Sequence, residues 1–450
     1  MRNRQGSISR AIQWVQSGGF ATDLAQLVAI KSESQRLDSG PDLHLYLTEG
    51  IAPLVKKTGF SVQIHENPLG GPILTAQRIE DPSFRTILIY GHGDVVNGQA
   101  GRWAEGRDPF VVTRDDDRLF GRGTADNKSQ HLINLAALEF VLTERGNLGF
   151  NVRLIIETGE ETGSSGLEDF ITTRKDILAA DALIASDGPR LQPDVPTVFT
   201  GSRGAVNFTL EVSLREGANH SGNWGGLLAD PAIILTHALA TITDARGTIL
   251  VPEWRPDSLT PAISEMLKPL PVGGGGAAIS INWGEPGLSA AERVFGWNSF
   301  AILATDHGIP DAPQNAIAGT AKATCQLRFV VGTNEADILP ALRRHLDNHG
   351  FHAVSITADN AAAPATRLDP NNPWVRFTAN SLARTSGIQV HVLPNLGGFI
   401  PNHVFSEILG LPTIWVPHSY AGCSQHAPNE HVLLSVSQSA AAGMAGLFWD

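Results

Sequence analysis

Four short apolar runs constrain this chain most, because each leads into residues able to bind a metal. Thr86-Ile-Leu-Ile-Tyr90 runs into Gly91-His92-Gly93-Asp94, and Val152-Arg-Leu-Ile-Ile156 into Glu157-Thr-Gly-Glu160-Glu161. Asp181-Ala-Leu-Ile-Ala185 runs into Ser186-Asp187-Gly188, and Pro412-Thr-Ile-Trp-Val416 precedes a loop carrying His426-Ala-Pro-Asn-Glu430. Continuous apolar runs of this length read as strands buried on both faces, as in parallel sheets. In open α/β sheets the ligand sits beyond the carboxyl ends of such strands. The runs therefore bring carboxylates and imidazoles to one rim, the donor composition of a hydrolytic metal site.

The chain has 450 residues, enough for two domains or more. With 42% hydrophobic and 17% charged residues it is globular rather than disordered. A net charge of -12 and the lack of a basic run argue against nucleic acid and against an anionic membrane as partners. Two cysteines, Cys325 and Cys423, exclude a disulfide framework and a four-thiolate zinc site, so any metal is held mainly by His, Asp and Glu. The basic amino terminus is followed by no apolar core of signal-peptide length, and no run reaches the roughly 18 apolar residues of a membrane span. The expected setting is soluble and cytoplasmic.

Helical spacing covers about Ser7 to Ile30 in two pieces, broken at Gly18-Gly19, and is clearest from Lys128 to Glu144. Alternating strand and helix up to Asp187 predict a mixed, mostly parallel sheet flanked by helices. The texture changes near Thr200. Val206 to Leu214 and Ala321 to Phe329 alternate apolar and polar residues, as half-exposed antiparallel strands do. Helices are expected at Pro231 to Ile242 and Glu335 to His349, a strand at His352 to Thr357, and a flexible loop at Gly273-Gly-Gly-Gly276. The α/β pattern resumes near Asn371 and closes with a helix from Val436. The expected division is a catalytic domain in two parts, 1–198 and 363–450, with a smaller α+β lid, 199–362, inserted between them.

A hydrolytic site with two metals needs a bridging carboxylate, terminal ligands for each ion, and a base. His92 and Asp94 form His-x-Asp at a strand end, where one residue ligates and its neighbour orients it. Asp126 stands just before the Lys128 helix with both oxygens free to bridge. Glu160 and Glu161 are adjacent acids that repel unless cationic charge is near; one can ligate while the other takes a proton from water. Asp187 and His426 complete two ligand sets. Singly, each has a blander role: an Asp before a helix is usually a cap, and a lone His is usually structural. His131, His418 and His431 are assigned structural or supporting roles. His418 is the main rival to His426, since both lie on one loop.

With these residues in view, the chain resembles the M20 metallopeptidase family, in the clan of carnosinase-like dipeptidases, aminoacylases and glutamate carboxypeptidases. The resemblance runs through Gly91-His-Gly-Asp-Val-Val96, Trp103 with Asp108-Pro-Phe110, Gly121-Arg-Gly-Thr-Ala-Asp126-Asn-Lys128, Glu160-Glu161-Thr-Gly-Ser164 and His426-Ala-Pro-Asn-Glu430. It implies two divalent ions, zinc with cobalt or manganese as alternatives. Asp126 would bridge them, with His92 and Asp187 on one and Glu161 and His426 on the other. Glu160 would be the base that activates a metal-bound water and then the acid that protonates the leaving amine, with Asp94 in the catalytic group. Gly217-Ala-Asn-His220-Ser-Gly222 resembles the family's lid motif. There the His of dimeric members reaches the partner's site to stabilise an oxyanion, which implies a homodimer formed through the lid. Arg328 matches a lid arginine that holds a substrate carboxylate, with a buried salt bridge as the alternative. Gly397-Gly398-Phe399-Ile400-Pro401 resembles a substrate loop, and Asn315 is counted with these contacts.

Two departures concern the substrate. Phe399 stands where the family pattern has Ser, and Ala218 where it has Asp. Asp187 at its ligand position goes more often with enzymes acting at a free amino end. The expectation is a dinuclear hydrolase of small dipeptide-like amides. The alternatives are an amidohydrolase of N-acyl amino acids or aryl or heterocyclic C–N bonds, and an inactive binding protein. No Gly-x-Ser-x-Gly elbow supports a serine hydrolase.

Overall fold

A computed structural model describes residues 3–272, 278–309, 311–359 and 363–450. The expected Gly273–Gly276 loop and the expected boundary at 362 fall outside the described residues. The four apolar runs form adjacent strands of an eight-stranded mixed sheet. Its order is Ser61–His65, Ile73–Arg78, Asn151–Glu157, Thr86–His92, Ala182–Ala185, Thr413–Trp415, Thr197–Phe199, His391–Leu393. The four central strands pair parallel, so their carboxyl ends share one rim.

The runs are apolar throughout because both faces are covered. Ile87, Ile89, Leu154, Ile156 and Ile414 enter one core with the helices Arg4–Gln16, Gly19–Ala29, Lys128–Arg145 and Leu434–Trp449. Their alternates Leu88, Tyr90, Ile155, Leu183 and Trp415 enter a second core with Phe170, Phe295 and Phe405. Each such side chain contributes about 1.5–3 kcal/mol on burial, and a one-residue slip would exchange the two faces. Gly146, with φ 90, ends the Lys128–Arg145 helix in the left-handed region and donates its N–H to Leu142.

A separate four-stranded antiparallel sheet runs Ser299–Asp306, Ala316–Phe329, Gly204–His220, Val354–Ala358. Strict burial alternation over 204–212 follows from covering one face with the Pro231–Ile242 and Ile338–Asn348 helices. Phe208, Leu210, Val212 and Trp254 form its core, and Trp254 Nε1 donates to the Ile338 carbonyl at 2.9 Å. The Gly204–His220 strand outruns its expected end at Leu214 by way of a bulge between Ser213 and Ala218. Beyond the bulge its pairing resumes, ending at His220 opposite Ala316. The edge strand Ser299–Asp306 had no sequence counterpart in the expectations. Where the chain crosses between the sheets, Gly201–Ser202 and Thr366–Arg367 pair side by side.

Candidate metal centre

The rim of the parallel strands assembles the site. His92 ends its strand, Asp187 stands two residues past Ala185, and Glu160 and Glu161 occupy the 3-10 turn after Glu157. Asp126 sits ahead of the Lys128 helix, and its peptide bond to Asn127 is cis. His426 comes from the loop after Thr413–Trp415 and is held at φ 60, a left-handed conformation that a non-glycine residue adopts only where its surroundings impose it.

The two oxygens of Asp126 face different ligand groups. Oδ1 is 3.1 Å from His92 Nε2, which is 3.6 Å from Asp187 Oδ2. Oδ2 is 2.9 Å from His426 Nε2, which is 3.1 Å from Glu161 Oε2. Each group, His92–Asp126–Asp187 and Asp126–Glu161–His426, keeps its ligand atoms within 4.8 Å of one another. Tetrahedral zinc at about 2.0–2.2 Å from each N or O ligand sets neighbouring ligand atoms about 3.4 Å apart. The donor set therefore fits a divalent cation in each group. Glu161 Oε1 is buried without a protein partner, as a ligand oxygen would be.

The electrostatics agree. Burial raises Glu160 well above the usual carboxylate range, and Asp187, Glu161 and Asp126 add to this while His92 opposes it. Burial, then Asp126, pushes Glu161 up to about 7 and Asp187 up to about 6. Burial works to raise Asp126 too, but hydrogen bonds from His426 and His92 bring it below the usual range. His426 is raised to about 10 by Asp126 and Glu161. Four crowded carboxyls against two imidazoles leave surplus negative charge that cations neutralise.

Asp94 lies behind His92. Its Oδ1 is 3.4 Å from His92 Nδ1, and its two oxygens accept the N–H groups of Glu160 and Glu161 at 3.2 and 3.1 Å. His418 is not in the cluster: it is fully buried, with Nε2 2.9 Å from Ser186 Oγ and 3.0 Å from Asn134 Oδ1. His131 is likewise a buried partner of Tyr46, and His431 of Tyr420.

A cavity of about 550 Å³ opens beside the cluster, lined by Asp126, Glu160, Asp187 and His426 and by Arg328, Gly398 and Phe399. Arg328 has no salt bridge among the described residues, and its buried Nη1 has no partner. His220 and Asn315 do not line this cavity. They are neighbours at the exposed far end of the second sheet, where Asn315 accepts the Ser221 N–H.

Sequence reasoning missed the support beneath Asp126. Glu430 is fully buried, and its carboxylate accepts the N–H groups of Gly123, Ala125 and Asp126 and pairs with buried Arg122. Gln425 donates to Asp126 Oδ2. Lys128 is also buried, donates to the carbonyls of Leu27 and Ile30 at a helix end, and is pushed down to about 7 by burial. The one available signal was that Arg122, Lys128 and Glu430 are charged residues inside the same segments as the ligands.

The chain matches peptidase family M20/M25/M40 over residues 88–450. It is 36% identical over 265 residues to the Beta-Ala-His dipeptidase of Rattus norvegicus, covering 55% of this chain and 53% of that protein. It is 28% identical over 376 residues to the Cysteinylglycine-S-conjugate dipeptidase of Corynebacterium striatum, covering 80% and 79%. The matched stretch spans 37% of the mouse and 36% of the human Beta-Ala-His dipeptidase, so the chain aligns with about half or less of the length of the Beta-Ala-His dipeptidases. The structure of human carnosine dipeptidase 1 superposes with a TM-score of 0.78 at 23% identity over 98% of both chains, a likeness of fold. The chain belongs to peptidase family M20/M25/M40.

Proposed function

We propose that this chain is a metal-dependent hydrolase that cleaves the amide bond of a small dipeptide-like substrate, with two divalent ions, zinc or else cobalt or manganese. The observation that carries this reading is that two ligand groups share Asp126, one oxygen toward each. When bound, such ions polarise a carbonyl and make water a better nucleophile at neutral pH. Glu160 lines the cavity beside both groups. It takes the proton from the attacking water and delivers it to the leaving nitrogen. Asp94 holds the backbone of Glu160 and the ring of His92 in place. Arg328, whose Nη1 has no partner among the described residues, anchors the substrate carboxylate. The substrates named for the dipeptidase relatives support a dipeptide. An N-acyl amino acid offers the same carboxylate and is the second reading.

The part from 199 to 362 is proposed as a lid inserted between 1–198 and 363–450, supported by its own core and by the paired crossing at Gly201–Ser202. The lid is also proposed to join two copies. Its edge strand Ser299–Asp306 exposes Ile302 and Leu303 at 48% and 53%, and an unprotected apolar edge favours pairing with another chain. In that arrangement His220 serves the partner's cavity. A cytoplasmic setting fits two buried, unpaired cysteines, and no helix among the described residues is long and apolar enough to cross a membrane. Nothing in the charge pattern favours nucleic acid.

The test is metal content per chain with activity on dipeptides and N-acyl amino acids, before and after chelation. About two ions, with activity lost on chelation and restored by zinc, cobalt or manganese, is the expected result. Metal-free protein that no ion activates would overturn it.

A further inference from the structure

The cavity beside the metal ligands is not polar throughout. Phe199, Phe295, Leu396, Phe399 and Ile400 line it together with Arg328. This wall begins one residue from the Asp187 ligand: a Cβ added at Gly188 would stand 3.1 Å from Leu396 and 3.7 Å from Phe199. It continues to Gly397, where a Cβ would stand 3.7 Å from Phe295. Arg203 then ties the loop to the second sheet, donating its backbone N–H to the carbonyls of Leu396 and Gly398 and its guanidinium to the carbonyl of Arg328. Arg328 and the apolar wall line the same cavity.

The charge distribution narrows what fits. Among the described residues the only carboxylates lining the cavity are Asp126 and Asp187, from the candidate ligand groups, and Glu160 beside them. A cationic side chain seated on the wall would have no counter-ion there. An acidic one would compete with the substrate carboxylate for Arg328, since Arg190, which also lines the cavity, already donates to the carbonyls of Pro417 and Pro193. A small side chain would leave the rings of Phe199, Phe295 and Phe399 uncovered, forgoing about 25 cal/mol for every Å² of apolar surface not buried.

We propose that the residue on the carboxyl side of the scissile bond is a large apolar or aromatic amino acid, its α-carboxylate on Arg328 and its side chain on the Leu396–Phe399 wall. This rests on the hydrolase reading above. In the reaction the water oxygen joins the carbonyl carbon, the C–N bond breaks, and the leaving nitrogen takes a proton, releasing a free apolar amino acid. The amino-side residue is left open by this argument.

The experiment measures kcat/KM of the metal-loaded protein on Ala-Phe, Ala-Leu, Ala-Gly, Ala-Asp and Ala-Lys. Calorimetric binding of free L-phenylalanine and glycine is measured in parallel and needs no turnover. Apolar pockets discriminate about 10- to 200-fold per methylene-sized difference, so Ala-Phe and Ala-Leu should exceed Ala-Gly by at least about 100-fold. L-Phenylalanine should bind where glycine does not. Phe399→Ser, at a half-buried position that tolerates the change, should cut the Ala-Phe preference about tenfold or more, mainly through KM. Phe399→Leu should retain most of it. Equal rates on Ala-Gly and Ala-Phe, or a preference for Ala-Lys or Ala-Asp, would overturn the specificity and leave the hydrolase reading intact. Selective L-phenylalanine binding without cleavage of any peptide would support the apolar subsite and overturn the hydrolase reading instead.

Discussion

Glu430→Gln keeps the shape of the side chain and removes its charge, so it isolates what the carboxylate does beneath Asp126. Glu430 Oε1 accepts from the N–H groups of Ala125 and Asp126 at 2.8 and 3.0 Å. Oε2 accepts from Gly123 N–H at 3.0 Å and Arg122 Nη1 at 2.6 Å. Whichever way a Gln amide is set, its NH2 group faces two donors instead of accepting from them. Each buried donor left unsatisfied costs about 1–3 kcal/mol, and Arg122, equally buried, loses its counter-charge. Breaking a buried pair costs about 3–5 kcal/mol, and the two routes overlap, so we expect about 3–5 kcal/mol in all. Urea unfolding followed by circular dichroism measures this. Because the Asp126 amide is one of the four donors, metal affinity should fall as well, by about 10- to 100-fold, as for other supports of ligand residues. Competition with a chelating dye reads that quantity directly. A variant within about 1 kcal/mol of the parent, with unchanged metal affinity, would refute the view that Glu430 holds the bridging loop.

Glu160→Gln should lower kcat by about 10²–10⁴-fold, the usual range for a general base, with metal content retained; near-normal turnover would remove Glu160 from that role. His220→Ala should lower kcat about 10²-fold or more with little change in KM. Mixing it with Glu160→Gln should restore measurable turnover if His220 acts across a dimer, whereas an inactive mixture, or a fully active monomer, rules that arrangement out. Glu80 accepts the N–H groups of Leu148 and Gly149 and pairs with Arg78. Burial works to raise its carboxyl, but these contacts together hold it below the usual 4.5. A depressed folded value means stability present above about pH 4.5 and lost as pH falls through the lower folded value. Glu80→Gln should flatten stability against pH in that acid range, and an unchanged profile would count against it.

The segments that carry the candidate ligands were legible in the sequence because strand physics is local. Runs such as Ile87–Tyr90 are apolar at every position only when both faces are buried, and ligands beyond the ends of parallel strands follow from that. The alternation of 206–214 marked the second sheet for the same reason. Ser299–Asp306 escaped notice, since a short apolar run carries no periodicity that separates an edge strand from a buried segment. The continuation of Gly204–His220 beyond Leu214 depends on a bulge that only the pairing partner reveals.

Which residues touch across the fold was decided by the tertiary structure alone. Sequence singled out His418 and His426 on one loop as rivals. Only packing seats His426 on Asp126 and turns His418 inward to Ser186 and Asn134. Charged residues ordinarily read as surface, so beyond their place in the ligand segments nothing marked Arg122, Lys128 and Glu430 as buried; backbone donors and carbonyls from distant segments converge on them. The two-triad geometry and the cavity that Arg328 and Phe399 line likewise exist only once strands, loop and second sheet meet. Sequence by itself determined the fold class and the chemistry at the strand ends, because local pattern and burial are coupled residue by residue. The cavity beside the candidate ligands belongs to the tertiary structure, because it is built from contacts that no local pattern records.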